Sequence, residues 1–115
     1  MPKRSPNGKG MASRLLFLGL AALSLAALAD PAPARQAELR GLLLQDCGAC
    51  HGLTLRGGLG PPLTPDALAG KSPDFLRQTI ADGRPGTPMP PWRGLLDEDD
   101  IRWLVDTLRA GEALP

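Results

Sequence analysis

The sequence predicts a small all-α domain, and three observations carry that expectation. No stretch alternates apolar and polar residues as a half-buried strand does. Helix-start signals recur instead: Thr64-Pro65-Asp66 and Ser72-Pro73-Asp74 each set a capping hydroxyl before a first-turn proline and an acid, and Gly70, Gly83 and Gly111 stand where helices would stop. Third, Cys47-Gly48-Ala49-Cys50-His51 has the Cys-x-x-Cys-His spacing of a c-type haem attachment site. In a helical turn, thiols at i and i+3 share one side and can add to the two vinyl groups of one porphyrin, with His51 beneath the iron as its proximal ligand. The expected architecture is about four helices wrapped around one covalently attached haem.

Taken in order, the first expected helix runs from about Ala34 to Asp46, with Leu39, Leu42 and Leu43 on one face and Arg35, Gln36, Glu38 and Arg40 mostly outward. It delivers the cysteines. The stretch from Gly52 to Leu63 reads as a loop, since its glycines permit close backbone approaches that a side chain would forbid. A short helix follows Thr64. A longer one follows Ser72, carrying Phe75, Leu76, Thr79 and Ile80 on one side and ending at Gly83. The segment from Arg84 to Trp92 cannot be helical throughout, because Pro85, Pro88, Pro90 and Pro91 each restrict the residue before them. The last helix begins near Asp97 and runs to Arg109, with Ile101, Leu104, Val105 and Leu108 at helical spacing. The acids Asp97, Glu98, Asp99 and Asp100 suit a first helical turn, where the helix dipole favours negative charge, and they also offer a surface that steers a basic partner.

Three other readings compete for the Cys-x-x-Cys-His run. A structural zinc site needs four ligands, and the chain holds two cysteines and one histidine in all. A thioredoxin-type dithiol should sit near a βαβ pattern, and no strand-like run precedes Cys47. A disulfide across two intervening residues closes a very small loop and constrains little of the unfolded chain. Haem is the expectation.

The start of the chain bears on compartment. Lys3, Arg4, Lys9 and Arg14 precede an apolar run from Leu15 to Leu28, and Ala27-Leu28-Ala29 offers a small-x-small cleavage site. The run is shorter than the roughly 20 residues that span a bilayer. Residues 1–29 are therefore expected to be a cleaved signal peptide, residues 30–115 a single haem domain, and the mature chain a periplasmic protein with no membrane attachment. The leader carries four of the 13 basic residues and none of the 12 acidic ones, which leaves nine against twelve, a net charge of −3. A nucleic-acid partner has no basic patch to rest on.

Met1 and Met11 leave with that leader, so Met89 is the only thioether of the mature chain and His51 its only imidazole. Met89 lies between Pro88 and Pro90, in a segment poor in apolar side chains, which favours iron ligation over core filling. Lys71, water and an open site are the alternatives. Iron held by His51 and Met89 has no position left for substrate, and no acid/base set stands outside it, so the expected role is electron transfer without catalysis.

With these residues in place, the chain resembles class I cytochrome c: the blocks are Cys47 to His51, Gly60-Pro61-Pro62-Leu63, Met89 and the helix from Glu98 to Arg109. The resemblance implies crossed terminal helices and a Pro61 carbonyl that accepts a hydrogen bond from the His51 ring. Gly57-Gly58-Leu59-Gly60-Pro61 and Asp82-Gly83-Arg84-Pro85-Gly86-Thr87-Pro88-Met89-Pro90-Pro91-Trp92 are similar to the small periplasmic cytochromes of NirC type. That likeness implies a monomer exchanging electrons with a larger periplasmic haem enzyme, either a haem cd-type nitrite reductase or a haem d maturation enzyme. A maturation factor that accepts electrons in haem d assembly, or a ligand-binding haem sensor, are the other roles. Leu39 and Leu43 stand where class I proteins often place Gly and an aromatic, Thr107 stands at a usual aromatic position, and Trp103 lies off the apolar stripe, so the helix crossing is expected to pack differently.

Overall fold

In the computed structural model, residues 29–115 and Pro2 are described, and the basic leader and apolar run of the expected signal peptide lie outside the described residues. Five α-helical segments follow in order: α1 (Pro33–Leu42), α2 (Gly48–His51), α3 (Pro65–Leu68), α4 (Pro73–Asp82) and α5 (Glu98–Ala110). A π-helical turn, Leu43–Cys47, joins α1 to α2, and no strand occurs among the described residues.

The starts follow the local chemistry of the sequence. The Thr64 hydroxyl accepts from the Ala67 amide at 3.4 Å, and the Ser72 hydroxyl from the Phe75 amide at 3.1 Å. At α5, the Asp97 carboxylate accepts from the Asp100 amide at 2.8 Å while Asp100 accepts from the Asp97 amide at 3.4 Å. This reciprocal box satisfies amides that a helix start leaves without partners. Gly111, at φ +75°, ends α5 in a left-handed conformation.

The first helix differs from the expectation that it would stop near Asp46. Helical backbone continues through the cysteines to His51, and the π-helical turn lets the Gly48 amide reach the Leu43 carbonyl five residues back. The attachment motif is itself helical. Leu39 and Leu43, two of the unusual residues of this helix, are fully buried.

Helix α5 organises the core. Ile101, Leu104, Val105 and Leu108 are buried as expected, and the helix packs against α3 and α4. Trp103 and Thr107 are buried as well, which corrects the placement of Trp103 off the apolar stripe. Asp100, Trp103, Leu104 and Thr107 form a second inward row at helical spacing. The Arg40 guanidinium of α1 lies over the Trp103 ring, 5.2 Å from its centroid, and also donates to the Glu112 carbonyl at 3.1 Å. Phe75, expected on the inner face of α4, is instead 45% exposed, while Leu76 and Ala81 fill that face.

A part-buried ion pair ties α1 to α5. Arg35 donates to Asp100 through Nε at 3.2 Å and Nη2 at 2.7 Å, although 65 residues separate them. Hydrogen bonds from Arg35 hold the Asp100 carboxyl below the usual carboxylate range, against the opposing effect of burial. Because the folded value lies below the unfolded one of about 3.9, the pair stabilises the fold above that pH and is lost as pH falls through the folded value. Asp100→Asn should lower the unfolding free energy measured in urea at pH 7 by about 1.5–3 kcal/mol, the worth of a charge-assisted bond. The same variant should lose less stability than wild type between pH 4.5 and pH 2.5; an unchanged acid slope would contradict the assignment.

Candidate haem site

The site is built where α2 ends. Gly52 stops the helix at φ +91°, and a side chain there would place Cβ 2.5 Å from the Gly57 carbonyl oxygen. The chain then curls back over the helix end. The Gly57 amide donates to the His51 carbonyl at 2.8 Å, and the Gly60 amide to the Cys50 carbonyl at 2.7 Å, which satisfies acceptors that the helix terminus leaves open. Leu55 anchors the loop from inside. It is fully buried although its φ is +59°, and burying a leucine at about 1.5–3 kcal/mol offsets the roughly 1–2 kcal/mol that a left-handed residue costs.

That curl brings Gly60 and Pro61 to the histidine. His51 Nδ1 lies 2.7 Å from the Pro61 carbonyl oxygen. A carbonyl only accepts, so this bond requires the proton on Nδ1 and leaves the Nε2 lone pair free for a metal. Gly60 closes against the ring: a Cβ there would meet Nδ1 at 2.9 Å and Cε1 at 3.0 Å. Cys47 and Cys50, both half-buried and unbridged, stand one helical turn apart on the same helix. Burial first, and then the Asp46 charge, pushes the Cys47 thiol up to about 11. A thiol that stays protonated at neutral pH is unlike the low-pKa cysteine of a redox dithiol. Among the described residues no three His, Cys, Asp or Glu side chains form a metal-binding group.

Met89 sits apart from this loop, half-buried in the turn that follows α4. The Arg84 amide donates to the Met89 carbonyl at 3.1 Å, and the Met89 amide donates to the Thr87 hydroxyl at 3.3 Å. Beyond it, the Trp92 and Arg93 amides donate to the Ile80 and Ala81 carbonyls at 3.0 and 3.1 Å, and Arg93 pairs with Asp82 at 2.6 Å. The turn is thus pinned to α4 at both ends. Sequence reasoning singled out Cys47, Cys50, His51, Pro61 and Met89, and read the glycines of the Gly52–Leu63 loop as sites of close approach, but missed the parts played by Gly83 and Thr87. Their signal was a glycine or a hydroxyl in a loop, which many loops carry.

The residues present fit a c-type haem. A helical pair of thiols suits attachment to a porphyrin edge, and a histidine with one nitrogen lone pair free and a thioether in a pinned turn are donors that suit haem iron. Leu63 and Trp92, half-buried against the core, add apolar surface on the same two loops. The family model described as cytochrome C oxidase, cbb3-type, subunit III matches residues 34–106. The chain belongs to this c-type cytochrome family. This cytochrome is 58% identical to cytochrome c55X of Pseudomonas aeruginosa over 115 residues, an alignment covering 96% of this chain and 97% of that one. A solved structure of the c-type cytochrome NirC superposes with a TM-score of 0.73 at 64% identity, covering 74% of this chain and 100% of that chain. Dihydro-heme d1 dehydrogenase NirN in complex with DHE matches with a TM-score of 0.56 at 40% identity, over 60% of this chain but 15% of that chain. The cytochrome is thus a small helical c-type protein, an electron carrier and not an enzyme, whose family implies covalent haem c. No described helix is long and apolar enough to cross a membrane.

Proposed function

We propose that this cytochrome is a periplasmic monomer, processed by removal of residues 1–29, that exchanges electrons with a haem cd-type nitrite reductase system. One haem c would be held by thioether bonds to Cys47 and Cys50, its iron would be bound by His51 and Met89, and Pro61 is the acceptor that orients His51. The observation that carries this reading is the 2.7 Å contact between His51 Nδ1 and the Pro61 carbonyl, which commits one ring nitrogen and leaves the other as a ligand. When bound, haem supplies a one-electron iron couple, whose potential methionine ligation raises. The chain's own residues set geometry and access. Cys47 and Cys50 anchor, the loop from Gly52 to Gly60 holds the histidine, and the turn after Gly83 presents the thioether. The likeness to NirC supports the denitrification setting.

Docking rests on apolar surface. Ala49, Gly57, Gly58, Pro88, Pro90 and Pro91, the small and apolar residues next to the cysteines and Met89, are all exposed. Leu53 and Leu59 add 74% and 93% exposed side chains on the histidine loop. Such a rim suits brief, low-area contact. The acidic run contributes less than its sequence suggests: Asp97 and Asp100 cap α5, Asp100 is also buried against Arg35, and Asp99 lies 3.4 Å from Arg102. Of the four, only Glu98 makes none of these contacts.

Stopped-flow mixing with a haem cd-type nitrite reductase at two ionic strengths tests the reading. The expected exchange is second order and only weakly slowed by salt, because two of the four acids at the start of α5, Asp99 and Asp100, are already paired with arginines. No exchange removes the reductase as partner. The likeness to part of a dihydro-heme d1 dehydrogenase favours a second reading, in which this cytochrome accepts electrons during haem d assembly. Transfer from that enzyme, with none to the reductase, would select it.

A further inference from the structure

We propose that Thr87 is the positioning residue for Met89: its hydroxyl closes the turn between Arg84 and Met89 and holds the methionine main chain where the thioether must stand. The proposal rests on the reading of Met89 as an iron ligand. The Thr87 hydroxyl donates to the Arg84 carbonyl at 2.7 Å and accepts from the Met89 amide at 3.3 Å. The Thr87 amide adds a second bond to the Arg84 carbonyl at 3.0 Å, and the Arg84 amide returns one to the Met89 carbonyl at 3.1 Å. Both ends of the turn are therefore tied through one side chain and two peptide groups.

The surrounding sequence makes that hydroxyl hard to replace. Pro88, Pro90 and Pro91 have no amide hydrogen, so Met89 N–H is the only main-chain donor from residue 88 to residue 91, and Thr87 is its acceptor. The methionine side chain has three rotatable bonds beyond Cα, so the position of its sulfur depends on how firmly the main chain is held. Threonine is stiff at its first torsion, which keeps the oxygen aimed at the turn's own main chain, and its single proton is committed to Arg84. A positioning role differs from simple loop stability, because it predicts an effect on the iron that outruns any effect on unfolding.

The experiment uses holoprotein of wild type, Thr87→Val, Thr87→Ser and Met89→Ala. Two signals are read: the weak sulfur-to-iron absorption at the red end of the oxidised spectrum, and carbon monoxide binding by the reduced protein. Thr87→Val keeps the branched shape and loses the oxygen. The methionine-off fraction reported by carbon monoxide should rise about tenfold, the factor that one ordinary hydrogen bond carries. Thr87→Ser should restore wild-type behaviour. A Thr87→Val protein with wild-type absorption and carbon monoxide binding overturns the proposal, as does a lower melting temperature with no change in either signal. Should Thr87→Val yield no holoprotein, Thr87→Ala is measured in its place against the same criteria. A wild-type band that survives Met89→Ala would instead defeat the ligand assignment, and the proposal with it.

Discussion

Gly83→Ala is expected to detach Met89 from the iron while leaving the covalent haem in place. Gly83 has φ +67° and ψ −168°, a combination that glycine alone adopts readily, and strain of about 1–3 kcal/mol follows for any other residue there. The larger obstacle is steric. A Cβ at this position would stand 2.6 Å from the Met89 oxygen, 2.7 Å from the Pro90 carbonyl carbon and 2.8 Å from the Pro91 nitrogen. All three are main-chain atoms, so no side-chain rotation relieves the contact. The far end cannot yield easily either, because the Trp92 and Arg93 amides are bonded to α4 at Ile80 and Ala81. The turn has to move as a body and take the thioether with it. The variant should lose the sulfur-to-iron absorption, bind carbon monoxide when reduced, and show a lower potential, as methionine ligation raises it. Gly86→Ala is the control: its φ is +78°, but no atom lies within 4 Å of the added carbon, so it carries the backbone cost without the collision. Retained absorption and an unchanged potential in Gly83→Ala would show that the turn accommodates the side chain, against this account.

The second large effect belongs to Gly60→Ala. Gly60 does not have a positive φ, so alanine is acceptable to its backbone. Its Cβ, however, would lie 2.9 Å from His51 Nδ1 and 3.0 Å from Cε1. The ring has to tilt, which breaks the 2.7 Å bond to the Pro61 carbonyl and turns the free nitrogen away from its set direction. Loss of such an orienting contact typically costs about 10–100-fold in metal affinity or activity. Expressed with haem-attachment machinery, Gly60→Ala should give at least about tenfold less holoprotein, measured as haem absorbance per mole of chain. Gly41→Ala, where nothing lies within 4 Å of the new carbon, should assemble normally. Full haem incorporation with an unchanged potential in Gly60→Ala would mean that the ring does not depend on this packing.

How much of this was legible beforehand follows the reach of each interaction. The starts of α3 and α4 were readable because a cap, a first-turn proline and an acid act within four residues of one another, and that of α5 because a capping aspartate is followed by three acids. The Cys-x-x-Cys-His run, the single histidine and the proline-flanked Met89 need no fold to interpret. Pro61 was reached only through a family likeness, and the observed contact to His51 spans ten residues that no local rule connects.

The sequence by itself determined the helical class, the Cys-x-x-Cys-His run and the Pro-rich segment that carries Met89, since each depends on residue type and short spacing. Tertiary structure alone decided that a π-helical turn joins α1 to the cysteines, and that Trp103 turns inward beneath Arg40. It decided that Asp100, one acid among four in sequence, is buried against an arginine 65 residues away. It also placed Leu55 in the core at a positive φ, Gly60 against the histidine ring and Gly83 beneath the Met89 main chain. The physical reason is common to all of these. A helix start is settled by hydrogen bonds a few residues apart, whereas the space around a side chain is set by whichever distant segment packs there.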